Sequence, residues 1–174
     1  GLDADTNLLP VLAITGSSGL VPFEGINLRN TTNVVINTIT GGSDGNDTIV
    51  VNAANTTVIG GSGTNTVSFA GAAAGATINL QDGSSSNGST FVNIHNVIGS
   101  GHGDIIVGGS LAGPTLDGGD GDDTIVVNAA NTTVGGGGGN NTVSYAGAAG
   151  GVTVNLQTGS GGNGDTYLSI TNVI

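Results

Sequence analysis

One aliphatic residue recurs every nine positions along most of this chain, set among small and polar residues. In frames of nine, GSDGNDTIV (42–50), VNAANTTVI (51–59) and GGSGTNTVS (60–68) run consecutively. GSLAGPTLD (109–117), GGDGDDTIV (118–126), VNAANTTVG (127–135) and GGGGNNTVS (136–144) do the same further on, preceded by GSGHGDIIV (99–107) and one extra residue, Gly108. The eighth position is always aliphatic: Ile49, Val58, Val67, Ile106, Leu116, Ile125, Val134 and Val143. The sixth is Asp or Asn in five of these eight frames. A period of nine fits neither a helix nor a long alternating strand. It predicts six turn residues, with glycines free to take positive φ, followed by a three-residue strand whose central side chain points inward. Two such units close a coil of 18 residues, and coils stacked at about 4.8 Å build a rod with a narrow double file of Val, Ile and Leu inside.

A longer repeat lies over the short one. Residues 42–98 match 118–174 without a gap, an offset of 76, and 37 of the 52 positions in 47–98 and 123–174 are identical. DTIVVNAANTTV occurs verbatim at 47–58 and 123–134, and NTVSFAGAAAGATINL (65–80) returns as NTVSYAGAAGGVTVNL (141–156). The chain divides into an N-terminal segment, 1–31, a first module, 32–117, and a second, 118–174, the modules forming one continuous solenoid. The fold class expected is all-β, a parallel β-roll or β-solenoid of two-strand coils. The apolar stretches LLPVLAITG and LVPF make segment 1–31 a cap or a strand donated to a neighbour.

Composition narrows the chemistry. Gly, Asn and Thr number 35, 20 and 22 of 174 residues, so turns and short strands dominate and a helical bundle is excluded. Twelve acidic residues face a single Arg29, giving a net charge of −11. That excludes nucleic acid, which needs clustered Lys and Arg, and anionic membrane surfaces. No apolar run is long enough to insert in a membrane as a helix. With no Cys, disulfides and thiol chemistry are absent. His95 and His102 stand apart from any paired acid and nucleophile, and Glu24 is the sole Glu, so no enzyme is expected.

GGDGDDTIV at 118–126 fits the nonapeptide G-G-x-G-x-D-x-U-x in full, and GSDGNDTIV and GSGHGDIIV fit it less completely. With its module sequence, the chain over residues 32–174 resembles the RTX (repeats-in-toxin) calcium-binding family of proteins secreted by bacteria. The resemblance implies Ca2+ as cofactor, held in the turns by sixth-position side chains and backbone carbonyls. Those positions are Asp47, Asp104 and Asp123, with Asn65 and Asn141 as weaker neutral substitutes; Asp44, Asp120 and Asp122 add charge in the same turns. Turns two frames apart share an edge of a two-sided roll. One edge is therefore expected to carry all of these turns as a calcium ladder, with VNAANT and GSLAGP closing the other. Asp82 and Asp165 read as solvated loop residues. Eleven uncompensated negative charges on a slender rod repel one another, so the chain is expected to be largely unfolded in chelator and to fold on calcium.

The functional expectation is an extracellular, secreted or cell-surface structural protein that folds on calcium. The chain stops at Ile174 where the first copy continues into a calcium turn. The expectation there is an open strand edge and half-site, with head-to-tail self-assembly into a filament, tube or surface layer. The alternative is a calcium-dependent folding and secretion module of a larger type I-secreted hydrolase, toxin or adhesin. A Thr-rich face for ice or surface adhesion is the weakest reading, since the Thr residues do not read as a strict ladder.

Overall fold

A computed structural model describes residues 38–174; segment 1–31 and its expected role lie outside these. The described residues form short strands and turns. In chain order the strands are β1 (Thr38–Thr40), β2 (Thr48–Val50), β3 (Thr57–Ile59), β4 (Thr66–Ser68), β5 (Thr77–Asn79), β6 (Ser84–Ser85), β7 (Thr90–Val92), β8 (Asn96–Ile98) and β9 (Ile105–Val107). They continue as β10 (Thr115–Asp117), β11 (Thr124–Val126), β12 (Thr133–Gly135), β13 (Thr142–Ser144), β14 (Val154–Asn155), β15 (Ser160–Gly161), β16 (Thr166–Leu168) and β17 (Asn172–Val173). The nine-residue frame thus becomes strand at its seventh to ninth residues.

Two sheets face each other. The first runs β1-β3-β7-β6-β5-β9-β11-β13-β17 and the second β14-β15-β16-β12-β10-β8-β4-β2. Pairing between coils is parallel and in register: Ile49 lies beside Val67, Leu116 beside Val134, and Ile125 beside Val143. Nine strands at about 4.8 Å give the first sheet a length of roughly 40 Å. Every eighth-position residue is buried; Val58, Val67, Ile106, Leu116, Ile125, Val134 and Val143 are 0% exposed. Each contributes about 1.5–3 kcal/mol by leaving water, which drives the stacking of otherwise polar coils. This is the parallel β-solenoid that the nine-residue period predicts.

Three features go beyond that period. First, each module turns back on itself once: β5-β6-β7 and β14-β15-β16 pair antiparallel, as inserts in one sheet only. A plain coil advances 18 or 19 residues between registered strands, whereas Thr57 pairs with Thr90 and Thr133 with Thr166, 33 residues on. The aromatics among the described residues gather here. Phe69 and Phe91 meet edge to face, ring centres 6.1 Å apart. Second, seventh-position side chains flank the buried eighth and point outward as a regular file: Thr48, Thr66, Asn96, Thr115, Thr133 and Thr166 on the second sheet. Asn96 interrupts this file, and Ile105 and Asn172 interrupt its counterpart on the first sheet, so Thr forms no strict ladder, as expected. Asn96 and Thr166 donate along the file to Thr66 and Thr133 at 3.3 Å.

Third, the two copies sit on opposite faces. β2 belongs to the second sheet, but its duplicate β11 belongs to the first. Between them the chain crosses from sheet to sheet seven times, because the β5-β6-β7 insert stays within one sheet. An odd number of crossings rotates the second module half a turn about the rod. The turns 42–47 and 60–65 therefore join the first sheet to the second, while 99–104, 118–123 and 136–141 join the second to the first. The single calcium edge expected from the frames is instead two half-ladders on opposite edges.

Candidate metal-binding turn stacks

Sixth-position side chains point inward along the stack rather than out to solvent. The Asp47 N–H donates to Asn65 Oδ1 at 2.9 Å, bridging two turns on one edge. On the other edge the Asp104 N–H donates to Asp123 Oδ1 at 2.7 Å, and the Asp123 N–H to Asn141 Oδ1 at 2.9 Å. The Ala76 N–H donates to Asp104 Oδ1 at 2.6 Å, continuing the same file. A second file uses the fifth position in the opposite direction: Asn46 Oδ1 accepts from the Thr64 N–H at 2.8 Å and Asp122 Oδ1 from the Asn140 N–H at 2.7 Å. Turn backbones that lack strand partners are satisfied by these side-chain carbonyls, which explains why Asp and Asn recur there.

The five sixth-position residues differ in what remains of their capacity. Asn65 and Asn141, both 0% exposed, spend everything. Asn65 Nδ2 donates to the carbonyls of Gly61 (3.4 Å) and Asn93 (3.2 Å), and Asn141 Nδ2 to those of Gly138 (3.3 Å) and Ser169 (3.1 Å). Asp104 is buried but saturated, its oxygens taking the Ser100 N–H at 2.5 Å, the Ser100 hydroxyl at 3.0 Å and the Ala76 N–H. Asp47 and Asp123 are different: Oδ2 of each is enclosed and has no hydrogen-bond partner. Burial pushes the Asp123 carboxyl above the usual carboxylate range; the carboxylates of Asp104, Asp117 and Asp122 add to the rise, and the Asp104 N–H opposes it. A buried carboxylate with a bare oxygen is costly unless a cation or proton meets it.

Of the remaining charged candidates, Asp44, Asp120 and Asp122 are exposed on the turn rims, Asp44 taking a 3.5 Å contact from Ser43 Oγ. The eight candidates thus divide into Asp44, Asp47 and Asn65 on one edge and Asp104, Asp120, Asp122, Asp123 and Asn141 on the other. Among the described residues no group of three or more His, Asp or Glu side chains converges as a ready metal cage. A cation at Asp47 or Asp123 would draw most of its oxygens from turn carbonyls, which suits calcium, a hard cation of six to eight oxygen ligands. The donor chemistry fits at these two positions. It does not fit at Asn65 and Asn141, where an amide N–H group faces the carbonyls.

Asp165 corrects the solvated-loop reading. It is 1% exposed, its Oδ1 accepting from the Thr132 N–H at 2.8 Å and its Oδ2 from the Tyr145 hydroxyl at 2.7 Å. Tyr145 and Tyr167 hydroxyls also touch, and burial raises both phenol pKa values. In the first module the same places hold Ser89, Phe69 and Phe91, with Ser89 Oγ accepting from the Thr56 N–H at 3.1 Å. Asp82, by contrast, is exposed and bonded to Asn79 and Ser84. Asp165 stands outside the nine-residue frames, so the period gave no signal for it; its equivalence to Ser89, beside the Phe-to-Tyr exchanges, is the one clue in the repeat.

No protein-family model matches the chain, and none of the curated proteins matches its sequence.

Proposed function

We propose that this chain is a calcium-stabilised structural rod of the extracellular space, in which calcium completes the turn stacks at Asp47 and Asp123. The observation that carries the reading is the partnerless, enclosed Oδ2 of each residue, in a chain with twelve acids and one Arg. Bound calcium would supply the positive charge that the protein lacks at these oxygens, and the carbonyls of the adjoining turns would complete its shell. Extracellular calcium is abundant enough for weak, carbonyl-rich sites to fill. A structural rather than catalytic role is supported by how the polar side chains are spent, on holding coil to coil. A groove of about 440 Å³ beside Tyr145 is lined by Ala, Gly, Val and Asn and contains no carboxylate or imidazole.

The test is circular dichroism and thermal melting of the purified chain in chelator, in millimolar calcium and in millimolar magnesium. The expected result is a gain in β signal and in melting temperature with calcium that magnesium does not match, since magnesium gives up its water reluctantly. Equal β content and equal melting in chelator and calcium would overturn the reading.

A further inference from the structure

The sixth-position side chains present the same atom site in two chemical forms. Nδ2 of Asn65 and Asn141 and Oδ2 of Asp123 lie over the glycine that opens their own turn, Gly60, Gly136 and Gly118, and Oδ2 of Asp47 lies over Gly41, the residue just before its turn. A Cβ added to Gly60 or Gly136 would come within 2.6 Å of the Asn Nδ2, and one added to Gly41 would come within 2.7 Å of Asp47 Oδ2. At Gly118 it would collide with Asp123 Oδ2. Where the residue is Asn, the site holds two N–H donors, both spent on turn carbonyls. At Asp47 and Asp123 the site holds a carboxylate oxygen with no donor. Each such Asp is stacked directly on such an Asn, Asp47 on Asn65 and Asp123 on Asn141, through the N–H to Oδ1 bonds described above.

We infer that the Asn65 and Asn141 amides take the place of a bound cation, so that each module carries one metal-independent rung that templates a neighbouring metal-dependent one. This rests on the calcium reading for the Asp rungs, but the Asn half of it stands on hydrogen bonds alone. The order Asp–Asn then sets the response to calcium: the Asn rung keeps two coils in register without metal, and the Asp rung tightens when the cation arrives. Asp104 needs neither, because Ser100 supplies its donors.

Two double variants of the full chain test this by melting temperature in chelator and in calcium, with bound calcium counted by equilibrium dialysis. Asp47→Asn with Asp123→Asn is expected to melt higher than wild type in chelator, by about 2–4 °C for each rung worth a kilocalorie, and to lose the calcium-induced rise. Asn65→Asp with Asn141→Asp is expected to melt lower in chelator, to bind more calcium than wild type, and to recover in its presence. The inference is overturned if the first variant melts no higher than wild type in chelator, or if the second melts no lower there or gains no calcium. Should wild type bind no calcium, the calcium reading fails, and the chelator melts of both variants still decide whether the amides stabilise their rungs.

Discussion

At position 165 the second module carries a carboxylate where the first carries the hydroxyl of Ser89, and both accept from a Thr N–H in the stacked turn. Replacing Asp165 by Ala strands the buried Thr132 N–H, at about 1–3 kcal/mol, and also takes away the carboxylate acceptor of the Tyr145 hydroxyl, leaving it only the Tyr167 hydroxyl. Asp165→Ala is therefore expected to lower the melting temperature more than Ser89→Ala, which strands one N–H. Tyrosine fluorescence adds a direct readout, because Tyr145 and Tyr167 are the only tyrosines and both belong to this cluster. Asp123 supplies a pH prediction. Its carboxyl titrates above the unfolded value, so in chelator the folded state is favoured where this group is protonated and loses that advantage as pH rises through the raised pKa. In chelator, wild type is expected to melt below Asp123→Asn at neutral pH. The gap should close as pH falls below the ordinary carboxylate range, near about 4. A gap that widens on acidification would contradict the assignment.

Single turns and strands here are too short to be stable alone, and their stability comes from what lies above and below. Val134 is wholly buried at the centre of its strand and flanked in register by Leu116 and Tyr167. Truncation to Ala is expected to cost about 2–4 kcal/mol, measurable by denaturant unfolding. Gly137 has a φ of 76° and a Cβ there would collide with the Gly119 carbonyl, so Gly137→Ala is expected to disturb two coils at once. The three-residue strands were legible in the sequence because one buried aliphatic per nine residues suffices to define them. The inserts were not. The stretch 69–95 departs from the frame, and nothing local in QDGSSSNGS says whether the chain crosses to the other sheet or turns back within one. That choice is decided by distant partners, Thr57 for Thr90 and Ile106 for Ile78.

For the whole molecule this parity has a large consequence. Seven crossings separate β2 from its duplicate β11, and this odd number turns a sequence repeat of 76 residues into a half-turn in space. The sixth-position residues were legible as a class, and all five occupy stacked turns. Their distribution over two edges was hidden because it depends on counting crossings that the insert conceals. The distinction between Asp and Asn also changes meaning once hydrogen bonds are visible: Asn65 and Asn141 read from sequence as weakened ligands, but their amides are fully engaged in holding turns together. A crystal structure of the chain grown with calcium measures the central claim directly. An ion at about 2.3–2.6 Å from Oδ2 of Asp47 and of Asp123, with turn carbonyls around it and none against Asn65 or Asn141, is the result expected. Calcium-saturated crystals in which both Oδ2 atoms remain without an ion would contradict it.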